Sequence, residues 1–208
     1  MNIASRMTEW RNLKLPYDAK VEYLESTGTQ WTDTGVMISR DSVMECELSV
    51  TAVVEWGVFF CAIWGNSDVA TSGVCYRQRG RDDGVSIWNG TSISDPFKSV
   101  NVLGRHAYSL SLTSAKVDGL EWWSGAAPET LGSATVKLLW DGGAIPHWTS
   151  NPRKGKCRIY SFGHRIGDSI VSDFIPVRIG QVGYFYDKIS RQLFGNSGTG
   201  SFIVGPDL

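Results

Sequence analysis

CRIYSFGHRIGDSIVSDFIPVRIGQVGYFYD, residues 157–187, decides the reading of the fold. Arg158-Ile-Tyr-Ser-Phe-Gly-His-Arg-Ile166 is rich in β-branched and aromatic residues, and Gly167-Asp168 is turn chemistry. Ile170-Val171 and then Val177-Arg178-Ile179 resume the strand pattern before Gly180. Three strand-like runs separated by Gly, Asp and Ser predict an antiparallel meander, and the chain upstream continues in the same manner.

Working back from that stretch, strands are expected from Ala19 onward. Val21 to Leu24 alternates, Ser26-Thr-Gly-Thr-Gln30 turns, and Trp31 to Gly35 is again extended. In Ser42 to Thr51, Met44, Cys46, Leu48 and Val50 would share the core face, with Val43, Glu45, Glu47 and Ser49 on the other. Trp56 to Trp64 is apolar at nearly every position, as in a central strand covered on both faces or one lining a hydrophobic concavity. Gly73 to Arg79 and Gly84 to Trp88 read as a hairpin with a charged tip. Tyr108, Leu110 and Leu112 alternate with serines, and Asp118-Gly119 is a two-residue hairpin turn. Ala134 to Trp140 is a further strand, followed by a long irregular loop, residues 141–152, of the kind that often carries function.

A dozen or so short strands leave a barrel or a sandwich, and the expectation is an all-β jelly-roll sandwich over residues 19–208, preceded by a helix and linker at 1–18. That helix rests on Ile3, Met7, Trp10 and Leu13, spaced four, three and three apart as one apolar stripe ending before Pro16. The stripe either packs on its own domain or makes a homo-oligomer through residues 3–13, with a slight lean to self-association. No run of seven apolar residues precedes Lys14, so neither a secretion signal nor membrane insertion is expected from this chain.

The 208 residues carry a formal net charge of −1, which gives no electrostatic footprint for nucleic acid. Nine tryptophans and 23 glycines are a composition of β-sandwiches whose aromatics fill cores or line binding surfaces. Cys46, Cys61, Cys75 and Cys157 lack zinc-ligand spacing and read as small buried hydrophobes. One hairpin register, pairing residues 43–50 with 57–64, would set Cys46 opposite Cys61.

Glu22-Tyr-Leu-Glu-Ser-Thr-Gly-Thr-Gln-Trp-Thr-Asp-Thr-Gly35 near one end, and Arg158-Ile-Tyr-Ser-Phe162, Asp173-Phe-Ile-Pro-Val-Arg178, Gly183-Tyr-Phe-Tyr-Asp187 and Phe194-Gly-Asn-Ser-Gly-Thr-Gly200 near the other, carry a resemblance. The chain resembles concanavalin A-like, laminin-G-type jelly-roll domains of gut-bacterial surface proteins and phage tail-associated proteins. The matching residues are turn and strand-core positions, whereas the middle of the chain, about residues 52–150, departs from the pattern. The resemblance implies a sandwich at an extracellular surface or on a virion, with a glycan or cell-surface receptor as partner. Calcium occurs in this fold family, yet Asp33, Asp41, Asp68, Asp82, Asp83, Asp168 and Asp173 form no recognisable loop, so no cofactor or metal site is assigned.

Catalytic patterns fail. Glu45 and Glu47 alternate as glucanase carboxylates do, but without the rest of that pattern they read as the solvent face of a strand. His106, His147 and His164 have neither zinc spacing nor a Gly-x-Ser-x-Gly elbow, and Gly195 to Gly200 lacks the Lys-Ser/Thr of a phosphate loop. Asn89-Gly90-Thr91 is a glycosylation sequon that chance explains. The expected function is therefore a non-catalytic carbohydrate- or receptor-binding module, with a structural assembly domain as the alternative and a glycoside hydrolase third. Tryptophans beside Asp, Asn and Gly would stack on a sugar while the polar groups take its hydroxyls: Trp64, Asn66 and Asp68; Trp88 and Asn89; Trp140 and Asp141 with His147 and Trp148. Each tryptophan has core packing as its alternative.

Overall fold

The computed structural model describes residues 15–66, 69–79, 85–89, 92–94, 102–127, 131, 135–139 and 154–208, with backbone alone at 55–56, 62–66, 69–79, 85–89 and 92–94. Seventeen strands run through them: β1 Ala19–Lys20, β2 Leu24–Glu25, β3 Thr32–Met37, β4 Ser42–Val50, β5 Glu55–Asn66, β6 Val69–Arg79, β7 Val85–Asn89, β8 Ser92–Ser94 and β9 His106–Ser111. They continue as β10 Ser114–Val117, β11 Leu120–Ser124, β12 Thr135–Leu138, β13 Cys157–Ile166, β14 Ser169–Ile179, β15 Val182–Asp187, β16 Gln192–Phe194 and β17 Ile203–Val204. No helix occurs among the described residues, and the stripe expected at residues 3–13 lies outside them.

The strands form two antiparallel sheets. The larger has eleven strands, eight of them in the order β11-β10-β9-β4-β13-β14-β15-β16, with β1, β2 and β17 joined at its side. The smaller is β3-β12-β5-β6-β7-β8. Their inner faces meet through aromatic side chains: Phe60 of β5 lies 6.1 Å from Phe162 of β13, and Phe59 lies 5.4 Å from Tyr108 of β9. Such pairs stabilise beyond the area they bury. The fold is an all-β sandwich.

Local chemistry accounts for the larger sheet. In β4, Met44, Cys46, Leu48 and Val50 are buried while Glu45 and Glu47 point away, as the alternation requires. The β13–β14–β15 meander follows the quoted stretch, with Ile166 paired to Ser169 across Gly167-Asp168, and Ile179 to Val182 across Gly180-Gln181. Between β10 and β11, Asp118 and Gly119 both take positive φ, 50° and 78°, the type I′ geometry whose twist matches that of the strands. In the smaller sheet β5 runs between β12 and β6, and Val58 to Cys61 are buried at every position, as a uniformly apolar strand should be.

The register that sets Cys46 opposite Cys61 does not form. Cys46 pairs with Tyr108 and Phe162 in the larger sheet, and Cys61 with Cys75 and Lys137 in the smaller. Thr51 to Val54 crosses between the sheets, because β-branched Val53 and Val54 do not supply the positive-φ turn that a tight hairpin demands. Cys46, Cys61 and Cys157 are buried free thiols, and burial pushes the Cys46 and Cys157 pKa values up, away from reactivity.

The segments that carry the resemblance meet in space. Asn196 Oδ1 accepts the N–H of Trp31 at 3.1 Å and of Gly198 at 2.8 Å, and Thr199 N donates to Thr29 O at 3.2 Å. Gln30 turns inward, its Oε1 accepting Thr27 N at 2.9 Å and its Nε2 donating to Thr199 O at 3.3 Å. Gly198 fits where it does because a Cβ there would lie 2.0 Å from Thr29 O.

Candidate functional site

The outer face of the larger sheet is built from the alternate residues that the core does not take. Across five neighbouring strands one row reads Lys116, Ser109, Glu45, Gly163, Asp173, each the registered partner of the next. Flanking rows place Ser111, Val43 and Arg165 on one side, and Ala107, Glu47 and Ser161 on the other. Small side chains over β9 and β13 leave the face hollow, and these residues line a groove of about 720 Å³. That is within the range of small-ligand sites. Tyr108 and Phe162 back it from the core side.

Gly163 is the low point. It lies mid-strand between Glu45 and Asp173, its φ is not in the left-handed region, and a Cβ there would meet only Ser172 O at 4.0 Å. Neither backbone conformation nor crowding requires glycine here. An unforced glycine inside a strand weakens it, and such positions commonly admit a close approach from outside.

A tightly bonded cluster closes one end of the groove. Arg105 Nε donates to Glu47 Oε1 at 2.7 Å, with its guanidinium 3.9 Å above the Tyr160 ring. Tyr160 shares a hydrogen bond with Ser49 Oγ at 3.2 Å and meets Tyr23 edge-on at 5.7 Å. Arg158 lies over Tyr23 at 4.5 Å and donates to Glu25 at 2.7 Å. Interlocked cation–π and ionic contacts of this kind make a stiff wall. At the opposite flank Asp173 pairs with Lys188 at 2.5 Å. Glu45 and Arg165, both lining the groove, have no hydrogen-bond or ionic partner among the described residues.

Among the described residues the carboxylates make no calcium cage. The carboxylates of Asp33, Asp118, Asp173, Asp187 and Asp207 are each taken by protein donors, and among the described residues no three His, Cys, Asp or Glu side chains converge. The thermal transition is therefore expected to be the same with and without EDTA, measured by calorimetry; loss of cooperative melting in EDTA would show a structural metal.

The tryptophan candidates among the described residues lie in the smaller sheet. Trp64 and Asn66 are on β5, opposite Ser72 and Val69 of β6, and Trp88 and Asn89 are on β7, opposite Cys75 and Val74. The fold brings these four to one sheet, with β6 between the two strands, and that sheet is not the one bearing the groove. Asp68, Trp140, Asp141, His147 and Trp148 lie outside the described residues. Of the three histidines, His106 bonds Asp118 at 2.6 Å, His164 is buried in the core, and His147 is outside the described residues. The groove residues were missed because Glu45 and Glu47 read as an ordinary solvent face. The available signal was Gly163, a lone glycine amid β-branched and aromatic residues.

No family model matches the chain, and no curated protein matches its sequence. Among solved structures it is similar to a Clostridium perfringens endo-β-galactosidase that releases GlcNAcα1-4Gal, at 12% identity over 78% of this chain and 48% of that one, with a TM-score of 0.35. It is also similar to a Bacteroides ovatus protein provisionally described as carbohydrate-binding, at 11% identity and a TM-score of 0.59 over 91% of this chain. The chain spans 60% of the length of that protein, and the likeness is one of fold: a two-sheet β-sandwich.

Proposed function

We propose that the chain is a non-catalytic carbohydrate-binding or receptor-binding module of concanavalin A-like, jelly-roll type, serving a cell-surface or phage tail-associated protein, and that it holds its glycan in the groove over Gly163. The carrying observation is Gly163 itself: a hollow in the middle of the sheet, kept open where a side chain would fit. Serine hydroxyls, a carboxylate and a guanidinium around it are the groups that take sugar hydroxyls. The fold-level likeness to the B. ovatus protein supports the same reading. Against hydrolysis stands the commitment of two of the three groove carboxylates, Glu47 to Arg105 and Asp173 to Lys188, which leaves Glu45 without a second free acid.

Filling the hollow tests the proposal. Gly163→Leu is expected to keep or slightly raise the melting temperature, since its Cβ would meet nothing nearer than Ser172 O at 4.0 Å and the rest of the side chain enters the groove, and to weaken glycan binding by about tenfold or more in titration calorimetry. A variant that is folded and binds like the wild type would move the ligand off this face, toward the tryptophan-bearing strands. Release of reducing sugar that vanishes in Glu45→Gln would overturn the non-catalytic part.

A further inference from the structure

The charges on the groove face divide into those that close on protein partners and those that do not. Glu47 closes on Arg105, and Asp173 on Lys188. Lys116 is the registered cross-strand partner of Glu121 on β11 and makes an interaction of its own. Glu45 and Arg165 remain, one carboxylate and one guanidinium. Glu45 is registered with Gly163 and Arg165 with Val43, so the two occupy diagonal positions on adjacent strands. Diagonal neighbours are separated by roughly 7–8 Å, a span that long side chains can bridge. Yet these two form no ion pair, whereas their neighbours do. The gap between them holds the hollow of Gly163 and the apolar side chain of Val43.

We infer that Glu45 and Arg165 are the two poles of a subsite for an uncharged sugar ring, whose hydroxyls donate to Glu45 and accept from Arg165 while its C–H face lies toward Val43. This rests on the carbohydrate-binding reading above and deepens it by naming the ligand class. A hydroxyl serves as donor on one side and acceptor on the other, so a single neutral pyranose satisfies both poles with charge-assisted hydrogen bonds. With one free charge of each sign, the subsite has no net charge left to neutralise. A uronic acid would set its carboxylate on Arg165 and an amino sugar its ammonium on Glu45, and each added charge then lies beside the opposite pole, Glu45 with Asp173 for the first and Arg165 for the second. Either leaves like charges facing in a partly desolvated groove. The ligand class is therefore neutral hexose oligosaccharide, and the binding should depend little on salt.

The test is titration calorimetry of the full chain against three panels: neutral gluco-, galacto- and manno-oligosaccharides, oligogalacturonates, and chitosan oligomers. The expected result is binding to a member of the neutral panel, with a dissociation constant that changes less than about twofold from about 50 to about 500 mM NaCl. Glu45→Gln and Arg165→Met, both expected to keep the wild-type melting temperature because neither side chain is buried, should each weaken it by about tenfold or more. Binding confined to the charged panels, with a steep salt dependence, overturns this inference but keeps carbohydrate binding. So does neutral-sugar binding that neither variant alters. Failure of all three panels overturns the carbohydrate reading and the subsite with it.

Discussion

Asp187→Ala is expected to destabilise the protein by about 4 kcal/mol, a large part of the total stability of a typical domain. Asp187 ends β15 and is 2% exposed, a buried carboxylate with no cation against it among the described residues. Its charge is held instead by backbone donors: Oδ1 accepts Asp173 N at 2.8 Å and Ile189 N at 3.2 Å, and Oδ2 accepts Ser190 N at 3.0 Å. Burial alone would raise its pKa, but these N–H groups hold it below the ordinary aspartate value. The side chain thus shapes the β15–β16 turn, where Arg191 takes φ 59° and donates to Asp187 O at 2.8 Å, and also ties that turn back to β14. Removal orphans three donors at once, each costing about 1–3 kcal/mol when it cannot reach water, with relaxation of the turn recovering part. Asp187→Asn keeps one acceptor oxygen but turns an amide toward a donor, so about half the loss is expected. Urea melts of the three proteins measure this order; an alanine variant within about 1 kcal/mol of wild type would show that the turn does not depend on the carboxylate.

The meander of β13 to β15 was legible because Gly167-Asp168 and Gly180 punctuate runs whose composition has no helical reading. Likewise β4 and the Asp118-Gly119 hairpin follow from local alternation and turn chemistry, which need no knowledge of distant residues. What the chain does not display locally is adjacency. Cys46 and Cys61 are close in sequence, yet β4 finds its neighbours in β9 and β13 and leaves β5 to the other sheet. The groove is a property of that adjacency: Glu45 becomes interesting only when Gly163 and Asp173 stand beside it, and they lie far along the chain. Residue type does not mark the groove either. Tryptophans flanked by Asp and Asn suggest a sugar platform, whereas the small residues lining the hollow in the larger sheet are serines, an alanine and two glycines, of which Gly163 alone stands out in sequence.

Acid should destabilise the fold well above the pH at which carboxylates titrate, and His164 is the reason. Its ring is fully buried on β13, with Nε2 2.9 Å from Ser42 Oγ and Nδ1 without a partner among the described residues, and burial lowers its pKa to about 4. The unfolded chain binds the proton near pH 6.5, the folded chain only near pH 4, so between those values the unfolded state holds more protons and stability falls as pH falls. The contribution is intact above about pH 6.5 and lost by about pH 4, reaching about 2.5 kcal/mol at pH 4.5. Asp33 and Asp187, whose pKa values are lowered below 3.8, act in a separate window at more acid pH, because their stabilisation is lost only as the pH drops below the unfolded carboxylate value. His164→Leu isolates the effect. Ser42 Oγ keeps the N–H of Ser39 at 2.8 Å, the partnerless Nδ1 disappears, and the leucine fills similar space in an apolar core. At pH 7.5 the variant should match or exceed the wild type, and at pH 4.5 it should be the more stable by about 2 kcal/mol or more. Urea melts at both values measure it, and a wild-type curve that stays flat from pH 6.5 to pH 4.5 would mean that the imidazole reaches water in the folded protein.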